Sequence, residues 1–208
     1  MIAIVDYGVG NLASAQKAFA AVGARAALVP DPAGLRQATA VVLPGVGNFG
    51  HCSRELHRHG FAPELREARE RGVPMLGICV GMQLLFDGSD EDRNEPGLGF
   101  FHGSVVKLAG VSRVPQIGWN AVRKTGDHPW LRDVADGDYF YFVHSYAADA
   151  AEQVVLGTVE YGGERLAIVG RDRLLGVQFH PEKSGANGLR LLRAFAMAGA
   201  GVGASSHR

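Results

Sequence analysis

Two short segments of the chain carry residues that together can activate a thiol. Residues 77–83 read GICVGMQ, in which Cys79 follows an apolar run and stands between two glycines. Much later in the chain, His180 and Glu182 are separated by a single proline. A cysteine nucleophile needs a base to accept its proton and a third group to orient that base. The residue types and their spacing therefore predict a triad of Cys79, His180 and Glu182.

Backbone amides beside these segments predict an oxyanion hole. Glycines around a nucleophile are typical of a strained turn from a strand into a helix, where the helix dipole lowers a thiol pKa and the amide of Val80 is available as a donor. Residues 44–47, PGVG, follow another apolar run and form either a plain turn or a loop that supplies a second backbone donor. Because glycines flank Val46, its peptide can rotate, so this donor need not point inward in the isolated chain.

Three competing interpretations of single motifs are weaker. Cys52 lies in a helix-like segment without flanking turn residues, which favours a structural or merely exposed cysteine over a reactive one. Residues 8–13, GVGNLA, with Asp31 beyond the next strand, match much of a dinucleotide-binding fingerprint, but that function leaves the Cys and His/Glu segments unexplained. A metal at His180 and Glu182 lacks a third ligand at motif spacing.

Composition limits the class of protein further. The 208 residues form one large domain or two very small ones, and 21 basic against 21 acidic residues argue against a nucleic-acid or anionic membrane partner. No apolar run approaches the ~18–20 residues of a membrane span. Residues 1–6 lack the basic region of a signal peptide, and two cysteines do not suggest a disulfide framework. We therefore predict a cytoplasmic protein.

The pattern of apolar runs predicts an α/β fold. Apolar strands and helical segments alternate over the first part of the chain, which implies parallel strands with right-handed crossovers. After a polar loop at 87–97, shorter segments with polar turns predict antiparallel strands, and a final helix is predicted at 188–197. We predict one domain over residues 1–198 and a flexible tail over 199–208. The predicted parallel strands are 1–5, 26–29, 40–43 and 73–78, with helices beginning at Asn11 and covering 53–59, 63–71 and 81–86.

With their surroundings, these motifs resemble the class I glutamine amidotransferases, whose triad is Cys, His and Glu. Five segments are similar to the glutaminase subunits of imidazole glycerol phosphate synthases in particular, over residues 1–197. The sequence departs from that pattern at Gln116, where the family usually has histidine, and at Ala147, where a larger residue is common. The five segments are VDYGVGNLAS (5–14), LPGVGNFG (43–50), PMLGICVGMQLLF (74–86), YFVHSY (141–146) and GVQFHPEKS (176–184).

The resemblance implies a fold, a reaction and a substrate site. The fold is a three-layer, flavodoxin-like arrangement with a mostly parallel central sheet, flanking helices and added antiparallel strands. Cys79 would attack the side-chain amide of glutamine and release ammonia, without a cofactor or a metal. The resemblance assigns the oxyanion to the amides of Val80 and Gly47. It places glutamine against Gly45, Gly47, Gln83, His144, Ser145 and Tyr146.

The resemblance also implies a partner. Free ammonia at neutral pH mostly becomes ammonium, a poor nucleophile, so it needs an enclosed route to the site that makes imidazole glycerol phosphate and AICAR. In this family that site lies on a (β/α)₈ barrel, which needs ~250 residues and must be a separate cyclase chain in a heterodimer. The interface positions carried over are Asn11, Trp119, Tyr141 and Lys183.

Two other functional classes stay open at this point. One is another hydrolase of the same fold, such as a glutaminase serving vitamin B6 synthesis or a γ-glutamyl peptidase, and VDYGVGN with HPEKS argues against it. The other is a non-catalytic binding partner, against which the intact triad argues. Stimulation of glutaminase turnover by a barrel synthase and its nucleotide substrate would discriminate between them.

Overall fold

The computed structural model describes residues 1–111 and 113–201, with a large β-sheet at the centre. The helices are α1 (Leu12–Ala21), α2 (Phe49–Arg58), α3 (Phe61–Glu70), α4 (Val80–Gln83) and α5 (Gly185–Gly201). The strands are β1 (Ile2–Val5), β2 (Ala26–Val29), β3 (Ala40–Gly45), β4 (Met75–Cys79), β5 (Gly88–Ser89), β6 (Asp92–Pro96), β7 (Gly103–Lys107), β8 (Gln116–Lys124), β9 (Tyr139–His144), β10 (Tyr146–Ala150), β11 (Val155–Glu160), β12 (Glu164–Arg171) and β13 (Leu174–Val177).

The central sheet has a parallel half and an antiparallel half. Its nine strands run in the order β2-β1-β3-β4-β13-β12-β11-β8-β9. The five strands from β2 to β13 are parallel, and every pairing from β13 to β9 is antiparallel. In the parallel half, β4 and β13 are neighbours, so the segments that carry Cys79 and His180 leave the same edge of the sheet side by side.

The parallel strands are the apolar runs of the sequence, and helices flank the sheet. All residues of β1, β3 and β4 are buried, as expected for strands covered on both faces. Helices α1 and α5 pack together, with the ring centroids of Phe19 and Phe195 6.1 Å apart. This arrangement confirms the predicted α/β class with a large mixed sheet.

The polar segment 87–97 was predicted as a loop, and that prediction is wrong. It contains β5 and β6, which belong to a second sheet in the order β10-β7-β5-β6. Ion pairs fasten this hairpin to α2, because Arg54 contacts Asp92 and Glu95 at 2.9 and 3.1 Å. The strands are short and polar, so their side chains carry no alternating apolar pattern that the sequence could reveal.

Several helix bounds differ from the prediction. Helix α2 begins at Phe49 rather than at residue 53, because the side chain of Asn48 accepts a hydrogen bond from the amide of His51. Asn11 precedes α1, but its side chain makes no capping hydrogen bond. Helix α4 is a single turn where 81–86 was predicted.

Helix α5 runs from Gly185 to Gly201, beyond both predicted ends. The predicted tail at 199–208 therefore begins inside this helix, and its residues 202–208 lie outside the described part of the chain. None of the helices in the described ranges combines the length and the apolar character that crossing a membrane requires.

Candidate active site

Cys79 occupies a strained turn at the end of β4. Its φ of 55° is a conformation that residues other than glycine rarely adopt, and α4 starts at the next residue. The turn lies against β3 because neighbouring positions lack side chains. A Cβ on Gly81 would approach the carbonyl oxygen of Leu43 to 1.9 Å, and one on Gly45 would approach the amide nitrogen of Gly81 to 2.5 Å. The surrounding backbone thus holds Cys79 in its strained conformation.

A pocket of about 350 Å³ opens over this turn and brings most of the predicted site together. It unites Cys79 with His180, although they are far apart in the sequence. Gly45 does not line the pocket, since it packs against the turn beneath Cys79. The lining residues are Val46, Gly47, Cys79, Val80, Gln83, Glu91, Pro115, Val143, His144, Ser145, Tyr146, His180 and Lys183.

His180 and Glu182 form a buried pair. Nδ1 of His180 lies 2.8 Å from Oε1 of Glu182, and both side chains are almost fully buried. Burial alone would lower the pKa of His180, but the neighbouring Cys79 and Glu182 outweigh burial and raise that pKa to about 10. The imidazole is therefore a proton carrier held in its charged form by two neighbours.

Each residue of this pair has a second polar atom that the hydrogen bond between them does not use. Among the described residues, Nε2 of His180 and Oε2 of Glu182 are buried and find no hydrogen-bond partner. Buried polar atoms are normally paired, so an orphaned nitrogen on a pocket wall indicates a group that engages substrate. With Nδ1 committed to Glu182, only Nε2 of His180 is available to the pocket.

Removal of the Glu182 charge is expected to lower the pKa of His180. Glu182→Gln keeps the side-chain volume but withdraws an anion that favours the imidazolium, so the ring should lose its proton about one pH unit or more below the wild-type value. NMR titration of the ring measures this directly. Asp127→Asn, which removes an exposed carboxylate, is the matched control. An identical His180 pKa in Glu182→Gln and in the wild type would show that Glu182 does not stabilise the imidazolium.

The helix after Cys79 contributes less than the sequence suggested. Helix α4 is one turn long, so its macrodipole is small. The thiol instead has two weak contacts: Nε2 of Gln178 lies 3.8 Å from its sulfur, and the carbonyl oxygen of Val143 lies 4.0 Å away. The side-chain amide of Gln178 is thus a neutral donor beside the Cys79 thiol.

Cys52 fixes the orientation of the Val46 peptide. Its sulfur donates to the carbonyl oxygen of Val46 at 3.3 Å, and burial, the largest influence on this thiol, raises its pKa to about 11. Cys52 is outside the pocket lining, so the carbonyl turns toward α2. In a planar trans peptide the N–H points the opposite way, so the amide of Gly47 points away from Cys52.

A hydrogen-bond network supports the pocket wall that contains His144 and Tyr146. The carbonyl oxygen of Tyr146 accepts from Nε2 of Gln83 at 3.0 Å and lies 2.8 Å from Nδ1 of His144. Nε2 of Gln83 also lies 3.0 Å from Oε1 of Gln178. Gln83 therefore joins the wall at Tyr146 to Gln178, the residue that contacts the Cys79 sulfur.

Glu91 lines the pocket and was not predicted from the sequence. Among the described residues that line the pocket, Glu91 is the only one with a carboxylate. Its Oε2 accepts a hydrogen bond from the amide of Phe49 at 2.7 Å. It lies between β5 and β6 in the segment predicted as a loop. Several acidic residues occur there, and no spacing distinguishes Glu91 from its neighbours. Only the folded hairpin reveals which of them faces the pocket.

Three of the four predicted interface residues form a surface cluster. Trp119 and Tyr141 are paired across β8 and β9 with ring centroids 6.1 Å apart, and Nζ of Lys183 lies 5.8 Å from the centre of the Tyr141 ring. Two further large apolar side chains, Ile117 and Tyr139, are exposed on the same pair of strands. Lys183 also lines the pocket, so the cluster adjoins the site.

Asn11, the fourth predicted interface residue, lies elsewhere. It lines a very small cavity behind the triad together with His180 and Glu182. The structure thus places it near the catalytic pair, and its part in an interface stays a prediction.

The sequence matches the family described as glutamine amidotransferase class-I over residues 3–198. The chain belongs to this family. That membership agrees with the strained cysteine and the His/Glu pair found in the pocket, and it confirms the resemblance seen in the motifs.

The chain is also similar to individual proteins along almost all of the matched length. The imidazole glycerol phosphate synthase subunit HisH of Thermococcus kodakarensis is 47% identical over 200 residues, covering 94% of this chain and 98% of that protein. The subunit of the same name from Moorella thermoacetica is 46% identical, covering 93% of each. This family member is thus similar to these subunits over almost its full length.

Solved structures show the same fold at low sequence identity. A glutamine amidotransferase crystal structure has a TM-score of 0.77 at 20% identity, covering 96% of this chain and 98% of that one. The structure of PurLQS from Thermotoga maritima has a TM-score of 0.74 at 20% identity, covering 94% and 96%. At this identity the likeness concerns the fold alone.

Proposed function

We propose that this class I glutamine amidotransferase is the glutaminase subunit of an imidazole glycerol phosphate synthase. It hydrolyses glutamine to glutamate and ammonia for use by a second subunit. The observation that carries the glutaminase activity is the pocket that combines the strained Cys79 with the buried His180–Glu182 pair. The names of the relatives, which match almost over their full length, support the synthase and its role in histidine biosynthesis.

The proposed chemistry uses the triad in two stages. The thiolate of Cys79 attacks the side-chain amide carbon, and the C–N bond breaks as Nε2 of His180 gives its proton to the leaving ammonia. A water molecule then attacks the resulting thioester, giving its proton to His180 and releasing glutamate. The oxyanion of each stage is stabilised by the amides of Val80 and Gly47.

The charges around the pocket suit an amino acid. The carboxylate of Glu91 is held by the amide of Phe49 and remains available to the α-ammonium group of glutamine. The segment from His144 to Tyr146 forms another part of the wall, where the substrate carboxylate would bind. Binding both ends of the amino acid orients its side-chain amide toward Cys79.

The ammonia must reach a second subunit that uses it. This subunit is proposed to bind the exposed cluster of Trp119, Tyr141 and Lys183. Trp119 and Tyr141 lie beside Lys183, which contacts both this surface and the pocket. Aromatic residues of this kind often anchor protein interfaces. We place a separate (β/α)₈-barrel cyclase here, in a heterodimer located in the cytoplasm. The two described cysteines are unpaired, which suits a reducing compartment.

The cyclase and its nucleotide ligand are expected to increase glutamine hydrolysis. The Val46 peptide is held by one thiol hydrogen bond, so a partner can bias the Gly47 donor, and one oxyanion donor is worth ~10²–10³ in rate. Steady-state glutamate formation with and without the cyclase measures the effect. Trp119→Ala should weaken the stimulation, while Met197→Ala, an apolar side chain of similar exposure on α5, should not. Equal turnover with and without the cyclase would reject activation by the partner.

Ammonia supplied from solution is expected to bypass this subunit. At alkaline pH and high ammonium, the cyclase should form imidazole glycerol phosphate with a Cys79→Ala subunit as well as with the wild type. Product formation with glutamine should instead require Cys79. Dependence of the ammonia reaction on Cys79 would contradict a subunit whose role is to supply ammonia.

A further inference from the structure

We propose that Gln116 is a positioning residue for the glutamine pocket, because its side-chain amide sets the proton position on His144 and so fixes the wall at Tyr146. Gln116 and His144 are direct neighbours across β8 and β9, and both are buried. Gln116 stands where the family pattern usually has histidine, and the triad chemistry does not use it. The inference rests on the proposed glutaminase function and concerns its substrate site.

The contacts of His144 determine which ring nitrogen carries the proton. Nδ1 lies 2.8 Å from the carbonyl oxygen of Tyr146, and a carbonyl oxygen can only accept, so Nδ1 must carry the proton. Burial lowers the pKa of this histidine to about 4, so the ring is neutral at pH 7. Nε2 is then an acceptor without a proton, and the group 2.9 Å from it is the amide of Gln116.

The side-chain amide of Gln116 can donate to Nε2 of His144 in one of its two orientations. With Oε1 of Gln116 toward Nε2 of His144, both ring nitrogens would need protons and the ring would carry a buried charge. The two ends of an amide are interchanged by a half-turn and are assigned from their partners. With its NH₂ toward His144, Gln116 donates to Nε2. In the structure the Gln116 NH₂ donates to Oδ1 of Asn120 at 3.0 Å, so after this half-turn the Asn120 amide must turn as well, and its NH₂ then donates to the Gln116 oxygen.

A chain of hydrogen bonds connects His144 to the sulfur of Cys79. The carbonyl oxygen of Tyr146 accepts from His144 and from Gln83, which fills both of its lone pairs. Nε2 of Gln83 also donates to Oε1 of Gln178, and Nε2 of Gln178 contacts the sulfur of Cys79. Gln116 therefore holds one end of a hydrogen-bonded chain that defines the wall of the pocket. Asn120, at the same end, is adjacent to Trp119 on the exposed cluster.

Two substitutions separate hydrogen bonding from shape. Gln116→Glu has nearly the same volume, but a carboxylate only accepts, so it requires a proton on Nε2 of His144. Because burial disfavours a second proton on this ring, the proton leaves Nδ1 and the Tyr146 carbonyl loses its donor. Gln116→His offers an N–H in place of the amide N–H, so it should preserve the proton on Nδ1 of His144. Because the wall binds the substrate, the KM for glutamine should rise about tenfold in Gln116→Glu, as for one lost hydrogen bond, with a smaller change in kcat.

The experiment combines nitrogen NMR of the His144 ring with glutamine kinetics in the wild type, Gln116→Glu and Gln116→His full-length chains. We expect a protonated Nδ1 and a bare Nε2 in the wild type and in Gln116→His, and a protonated Nε2 with the raised KM in Gln116→Glu. A wild-type ring protonated on Nε2, or an unchanged KM in Gln116→Glu, would overturn the inference. The ring measurement needs no turnover, so it distinguishes failure of this inference from failure of the proposed glutaminase function.

Discussion

Replacing Cys79 by alanine is expected to abolish glutamine hydrolysis, with kcat falling by about 10⁶-fold, as when a triad nucleophile is removed. The thioester route needs a sulfur at the strained turn, and Cys79 is the one thiol among the described residues that line the pocket. The fold should survive, because alanine is smaller and accepts the backbone held by β3. Glutamate formation measures the loss, and circular dichroism with cyclase binding confirms that the subunit is intact.

Cys52 provides the matched control for that experiment. It is the other cysteine of the chain, and its raised pKa of about 11 keeps it a protonated thiol. Cys52→Ala removes the hydrogen bond to the Val46 carbonyl, so we expect a loss of at most about tenfold. A larger loss for Cys52→Ala than for Cys79→Ala would contradict the assignment of the nucleophile.

Substitutions in the His180–Glu182 pair are expected to be large and non-additive. His180→Ala removes the proton carrier and should lower kcat by about 10⁶-fold, whereas Glu182→Gln only disorients it and should cost about 10⁴-fold. The 2.8 Å contact between them makes the pair a unit. The double variant should therefore be no worse than His180→Ala alone, and single-turnover rates of glutamate formation measure all three.

The opposite order would change the mechanism. If Glu182→Gln were more damaging than His180→Ala, the carboxylate would have a chemical role of its own. Its unpaired Oε2 would then be the atom to consider. If the two losses multiplied in the double variant, the groups would act independently, which their geometry does not support.

The sequence predicted the parts of the molecule whose signal is local. The buried strands β1, β3 and β4 are continuous apolar runs, and these produced the parallel half of the sheet. The nucleophile turn was also readable, because glycines flank Cys79 and permit the close approach of β3. The motifs predicted that Cys79 and His180 act together, but the parallel pairing of β4 with β13 that brings them side by side was not predicted.

The parts that the sequence did not predict depend on tertiary contacts. The hairpin of β5 and β6 is held by its ion pairs with Arg54, and Glu91 reaches the pocket only because this hairpin packs beside α2. The link from Gln116 to His144 depends on the register of β8 against β9, which sequence spacing alone does not determine. A polar residue that acts through a neighbouring strand leaves no local pattern.

Covalent trapping tests the central claim, that Cys79 attacks the amide carbon of glutamine in this pocket, most directly. The chain is treated with a glutamine analogue that carries an alkylating group at the position of the side-chain amide, and the labelled peptide is identified by mass spectrometry. We predict one label on Cys79, slowed by glutamine and absent from Cys79→Ala, with Cys52 unlabelled. A label on Cys52, or labelling of Cys79 that glutamine does not slow, would contradict the claim.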